Sequence, residues 1–153
     1  MSSTTDRQSS LPRWSVQDVH ESFDSRSFSD SMERAGANVA RLEALFETHN
    51  IRSIDPRTPT TQDGAAADEV IQAFNHTVDE QDILISYIYA TVSTDSRHEQ
   101  AQGLLSEMED LDARISPLLA RLADWVASLD SHALKEVSLE AREHLGPLLR
   151  LQD

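Results

Sequence analysis

Apolar residues recur every third or fourth position along most of this chain, and that spacing predicts helices. In the first stretch Phe28, Met32, Ala35, Val39, Leu42, Leu45 and Phe46 share one helical face. Ser27 is placed to cap it, and the pattern runs for about 20 residues, ending near His49-Asn50. Gly36, inside it, weakens the helix by roughly 1 kcal/mol relative to alanine. From Ile51 to Gly64 the periodicity is lost. Pro56, Pro59 and Gly64 stand among Thr and Asp residues, and two close prolines exclude a continuing helix, so a surface linker is expected. A second helix is predicted from about Ala65 to Val92. Val70, Phe74, Val78, Leu84, Tyr87 and Ile88 mark its stripe, and Ile83 and Ile85 widen it beyond half the circumference. A helix that apolar is usually buried between neighbours.

Thr94-Asp95-Ser96 reads as a turn and cap. A third stretch begins near Ser96 and carries Ala101, Leu104, Leu105, Met108, Leu111, Ile115, Leu118, Leu122, Trp125, Val126 and Leu129 in threes and fours. Pro117 falls inside it, with Ser116 able to cap a new start, so a sharp kink or two helices in line are expected. Ser131 opens a fourth helix through Leu134, Val137, Ala141 and Leu145, which Gly146-Pro147 is expected to stop. Leu148, Leu149 and Leu151 lie beyond that stop. The fold class expected is all-α, an antiparallel array of about four helices. No stretch alternates as a strand does, and no repeat of fixed period is present. Residues 1–10, rich in Ser and Thr, are expected to be a disordered tail. Leu11-Pro12-Arg13-Trp14 is an extended lead-in with Trp14 as an anchor, and residues 11–153 form a single helical domain.

Composition narrows the function. A chain of 153 residues supports one domain with a modest core. Its net charge of −14 argues against nucleic acid or an anionic membrane as main partner, since both are polyanions. With no cysteine there is no disulfide, thiolate metal site or cysteine nucleophile. No apolar run has the length of a spanning helix and the start lacks the apolar stretch of a signal peptide, so a cytoplasmic protein is expected.

Catalytic patterns fail one after another. The histidines are His20, His49, His76, His98, His132 and His144. A zinc peptidase helix needs two histidines four apart with a glutamate beside the first. His98-Glu99 begins that way, but position 102 is Gln, so His98 reads as a surface residue. Glu140 with His144, and His76 with Glu80, are each four apart and could each give two ligands, yet such pairs are usually mild surface pairs. Asp95-Ser-Arg-His98 is the nearest approach to a di-iron motif and sits at a turn. There is no Gly-x-Ser-x-Gly and no glycine-rich phosphate loop. Glu107, Glu109, Asp110 and Asp112 read as a solvated helix face, and Trp14 and Trp125 as core anchors. No catalytic, cofactor-binding or metal residue is expected in this chain.

Four segments nevertheless stand in a familiar order. Leu11-Pro12-Arg13-Trp14-Ser15-Val16-Gln17-Asp18-Val19 with Phe23-Asp24-Ser25 resembles the opening of the oligoendopeptidase F family, thimet-oligopeptidase-like zinc metallopeptidases. Leu42 to Ile51 resembles the end of that family's first long helix. Tyr87 to Ser96 with Ala101, and Pro117 to Val126 with Leu129-Asp130, resemble two later segments. The order holds across about residues 11 to 130. The resemblance implies the N-terminal helical region of such a peptidase, packed against a larger catalytic body as part of the wall of a channel for short peptides. Family members are several times longer, and their His-Glu-x-x-His has no matching position here, so the family's zinc and its catalytic residues are not carried over. The resemblance therefore implies a chain inactive alone. Its implied partners are the catalytic body, or a second copy through apolar helix surface, with short peptides as substrates of the whole family protein. The alternative expectation is a stand-alone helical interaction module.

Overall fold

A computed structural model describes residues 20–149. Five helices make the all-α array, three of them long: α1 (Arg26–Thr48), α2 (Thr61–Thr94), α3 (Glu99–Ser128), α4 (Ser131–Val137) and α5 (Leu139–Leu149). No strand occurs among the described residues. Trp14, Leu151 and the expected tail at residues 1–10 lie outside the described residues, as do the side chains of Leu145, Leu148 and Leu149.

Helix α2 is central and touches all four others. Two apolar clusters lie along it. One joins the C-terminal half of α1 to the N-terminal half of α2, the C-terminal half of α3, and α4 and α5, through Val39, Leu42, Phe46, Val70, Leu122, Trp125 and Leu134. The other joins the opposite ends through Phe28, Ala35, Leu84, Tyr87, Ile88 and Met108. Ends therefore meet in antiparallel order. Trp125 is buried at 2% exposure, as its register with Leu118, Leu122 and Leu129 predicts. The wide stripe of α2 resolves by angle: Leu84, Tyr87 and Ile88 are buried, while Ile83 and Tyr89 face outward.

Local chemistry moves several boundaries. Helix α1 is capped by Ser25, not Ser27, because the Ser25 hydroxyl accepts from the Phe28 amide. Its end follows expectation: Asn50 takes a left-handed φ of 52°, letting the Ile51 amide reach the Phe46 carbonyl at 2.9 Å. Helix α2 starts at Thr61 rather than Ala65, since Thr60 and Asp63 cap each other reciprocally and outweigh the preceding Pro59. Gly64 is thus helical, and Ile51, expected on the surface, is fully buried. Helix α3 starts at Glu99, where His98 Nδ1 accepts from the Ala101 amide at 3.1 Å.

Pro117 does not divide α3, which is one helix from end to end. Proline removes one ladder bond, but Ile115 and Leu118 beside it, and Leu122 and Trp125 beyond, sit in the same core and hold both halves as one helix. The expected fourth helix is instead two, split at Ser138, which explains five helices rather than four. The Ser138 hydroxyl donates to Asp68 Oδ1 at 2.6 Å and accepts from the Ala141 amide at 3.0 Å, while the Glu140 amide also donates to Asp68. These bonds replace helical ones and pin the break to α2. Gly146-Pro147 does not stop α5, which continues to Leu149. So close to the helix end, proline forfeits only the bond its amide would have made one turn back.

Candidate functional site

The structure scatters most of the residues considered for chemistry. His98 is a cap, half-buried against Phe23 at 5.8 Å between ring centroids. His49 pairs with Glu69 at 2.9 Å on the surface. His20 is buried between the Phe28 and Tyr87 rings, at 5.4 and 5.2 Å, with Nδ1 2.9 Å from the Ser27 hydroxyl. Burial, and then the charge of Arg34, pushes its pKa below the usual 6.5. Glu107, Glu109, Asp110 and Asp112 line the outside of α3, as expected of a solvated face. Partial burial, followed by the charges of Asp82 and Glu109, raises the Asp112 pKa.

Between α1 and α3 a shallow groove runs past Pro117. Its two guanidinium groups are already occupied: Arg114 Nε donates to Glu43 at 2.8 Å, and Arg121 donates to Glu47 at 2.8 Å and to the Ile51 carbonyl at 2.9 Å. Arg121 also lies over the Phe46 ring. These contacts hold α1 to α3 and leave no free charge to receive a ligand.

The groove between α2 and α5 differs. Gln72, Asn75, His76 and Asp79 on α2 face Glu140 and His144 on α5 around an open volume of about 550 Å3. Both acid–histidine pairs that spacing suggests are formed, and the fold adds a second partner to one of them. Glu80 is held by Asn38 of α1 at 2.6 Å, and His76, 3.6 Å from Glu80, lines the α5 side with Asp79. Across from it, His144 Nε2 stands 3.3 Å from Glu140 and 3.9 Å from Glu143. Gln72 donates to the other Glu140 oxygen at 3.0 Å, which orients that carboxylate. One potential ligand atom each from Glu140, Glu143 and His144 lie within 4.8 Å of one another, the only such triplet of His, Asp and Glu among the described residues. Spacing shows the Glu140–His144 pair. It cannot show that His76, 68 positions away in the chain, shares its groove.

The one hydroxyl–imidazole contact among the described residues is Ser27 with the buried His20, and the sequence contains no His-Glu-x-x-His. The zinc ligands of the resembling peptidases have no matching set among the described residues. No helix of the described residues is long and apolar enough to cross a membrane. No family model, curated protein or solved structure matches this chain.

Proposed function

We propose that the chain is a non-catalytic helical domain of an oligoendopeptidase F-like zinc metallopeptidase, contributing part of a peptide-channel wall. The observation that carries this is the order of the four resembling segments over about residues 11 to 130. The second segment falls on the end of α1, the third on the end of α2 and its turn, the fourth on the continuous α3 through Pro117. The role follows from rigidity: three long helices sharing a core make a stiff wall, and a wall needs no catalytic groups of its own. On the same expectation the protein works in the cytoplasm, with the catalytic body as partner and short peptides as substrates of the whole. Sequencing the gene beyond codon 153 tests it. An in-frame His-Glu-x-x-His downstream is the expected result, and a reading frame without one sinks the proposal.

A second reading, a stand-alone interaction module, is favoured by one feature. The described core is closed, and Ile83, Tyr89 and Leu139 are the large apolar residues left exposed among the described residues. In either reading the chain alone cleaves no peptide. Sustained hydrolysis of a short fluorogenic peptide by the purified chain would contradict both.

A further inference from the structure

We infer that the aromatic cluster joining the start of α1, the end of α2 and the start of α3 is an acid-sensitive latch, closed while His20 and His98 are neutral and opened when they take up protons. Five rings meet there. Phe23 lies 5.3 Å from Phe28, 5.4 Å from Tyr87 and 5.8 Å from His98 between centroids. His20 stands edge-on to Phe28 and Tyr87. The Tyr87 hydroxyl donates to the His20 carbonyl at 3.3 Å, and Gln100 of α3 donates to Asp24 at 3.1 Å. These contacts hold the chain from His20 to Asp24 across the ends of α2 and α3.

The two imidazoles are the members of the cluster that change charge near neutral pH. At His98 the geometry fixes the protonation state. Its Nδ1 accepts from the Ala101 amide at 3.1 Å and caps α3. A nitrogen that accepts carries no proton. Protonation therefore removes the cap and sets a positive charge at a helix N-terminus, where the dipole opposes it. His20 is buried, with Nδ1 2.9 Å from the Ser27 hydroxyl, and a charge there would be stripped of water. Arg34 of α1 and Glu80 of α2 line the small cavity beside it. Arg34 opposes a second positive charge, and Glu80 is held by Asn38 at 2.6 Å. Beside His98, Asp95 accepts from the Arg97 amide at 3.1 Å, and Glu99 stands in the first turn of α3. The histidines ion-paired with glutamate among the described residues are His49, His76 and His144; neither His20 nor His98 is so paired. Acid thus tightens those surface pairs and loosens the cluster. Burial, and then Arg34, lowers the His20 pKa, so the folded state binds the proton less tightly than the unfolded one. Its stabilisation is complete above pH 6.5 and is lost as pH falls below it. Opening frees residues 20–24 and uncovers Phe23, Phe28 and Tyr87, coupling proton uptake to release of the segment that leads into α1.

Because the surface pairs respond in the opposite sense, the test must read the cluster locally. Amide hydrogen exchange of the full chain is measured at about pH 7.5 and about pH 5, on either side of an ordinary imidazole pKa, and corrected for the intrinsic effect of pH on exchange. Residues 20–28 and the first turn of α3 should lose protection at least about fivefold at the lower pH, the effect of losing one helix cap. Protection around Trp125, in the other cluster, should hold and so report that the chain stays folded. His98→Asn keeps a capping acceptor that does not titrate, and His20→Phe keeps a ring that does not titrate. The double variant should lose no protection at the lower pH. If it fails to fold, His98→Asn alone should still abolish the response in the first turn of α3. No loss of protection in the wild type overturns the latch. So does a loss of wild-type size in the double variant, or in the first turn of α3 of His98→Asn.

Discussion

Asp63 accepts more hydrogen bonds than any other carboxylate among the described residues. It accepts both Arg57 guanidinium nitrogens, the nearer at 2.5 Å, together with the Thr60 amide and hydroxyl, and sits nearly buried at the start of α2. The Arg57 bond, assisted by those from Thr60, holds its pKa at about 2 against an ordinary 3.8. A carboxylate whose folded pKa is depressed binds its proton more weakly in the folded state. Its stabilisation is thus complete above pH 3.8 and disappears as pH falls toward 2. That drop corresponds to about 2 kcal/mol, with Arg57 half-exposed to solvent screening. Asp63→Asn should cost about that much at pH 7 by urea denaturation, and the gap to wild type should close as acid protonates Asp63; a gap independent of pH would remove the charge from the explanation. The signal was present in sequence as Thr60 three before Asp63, a capping box hidden by the prolines around it. Glycines divide in the same way by surroundings that sequence does not display. A Cβ on Gly36 would meet nothing within 4 Å, so Gly36→Ala should raise stability by about 0.5–1 kcal/mol. A Cβ on Gly64 would collide with the Val137 carbonyl, so Gly64→Ala should lower it by about 1–3 kcal/mol. Equal effects in thermal melts would contradict the close approach of α2 and α4.

At the scale of elements, the long helices were legible because burial imposes its period on the sequence directly. The face of α1 named by spacing supplies Phe28, Ala35, Val39, Leu42 and Phe46 to the core. The boundaries were less legible. Ser25, Thr60 and His98 cap through bonds three residues on but stand among other residues able to cap, and the break at Ser138 depends on a residue 70 positions away. Ser138 looks like a tolerable mid-helix serine until Asp68 of α2 is seen beneath it. Pro117 looks like a break until both flanks are seen to share one cluster. Trp125 tests that account of α3. It lies two turns beyond Pro117 in the same cluster, so its burial depends on the helix continuing past the proline. Trp125→Ala should cost about 3–5 kcal/mol in chemical denaturation, the usual range for a buried aromatic. A cost under about 1 kcal/mol would mean that the second half of α3 does not pack as one piece with the first.

For the whole molecule, the candidate site shows what one sequence can and cannot display. Each i,i+4 acid–histidine pair is visible as spacing, but their tertiary partners are not: Glu80, 3.6 Å from His76, is also held by Asn38 of α1. Surface apolar residues pose the same problem in reverse. Ile83 and Tyr89 are 53% and 58% exposed on α2, and six residues at 100° each place them about 120° apart around the helix. They form two spots rather than a stripe, so whatever covers them must reach α2 from two sides. A catalytic body enclosing α2 would do so; a single flat partner would not. Without that body, contact between copies is the remaining way to cover either spot, opposed by a charge of −14 on each chain. Screening falls to about 8 Å at physiological salt and shortens further as salt rises, so added salt weakens the repulsion while the apolar attraction persists. Light scattering should therefore show mass rising with concentration, more steeply at high salt, and Ile83→Asp with Tyr89→Asp should abolish the rise. A chain that stays monomeric at high concentration and high salt would instead match a self-sufficient module whose described surface needs no cover.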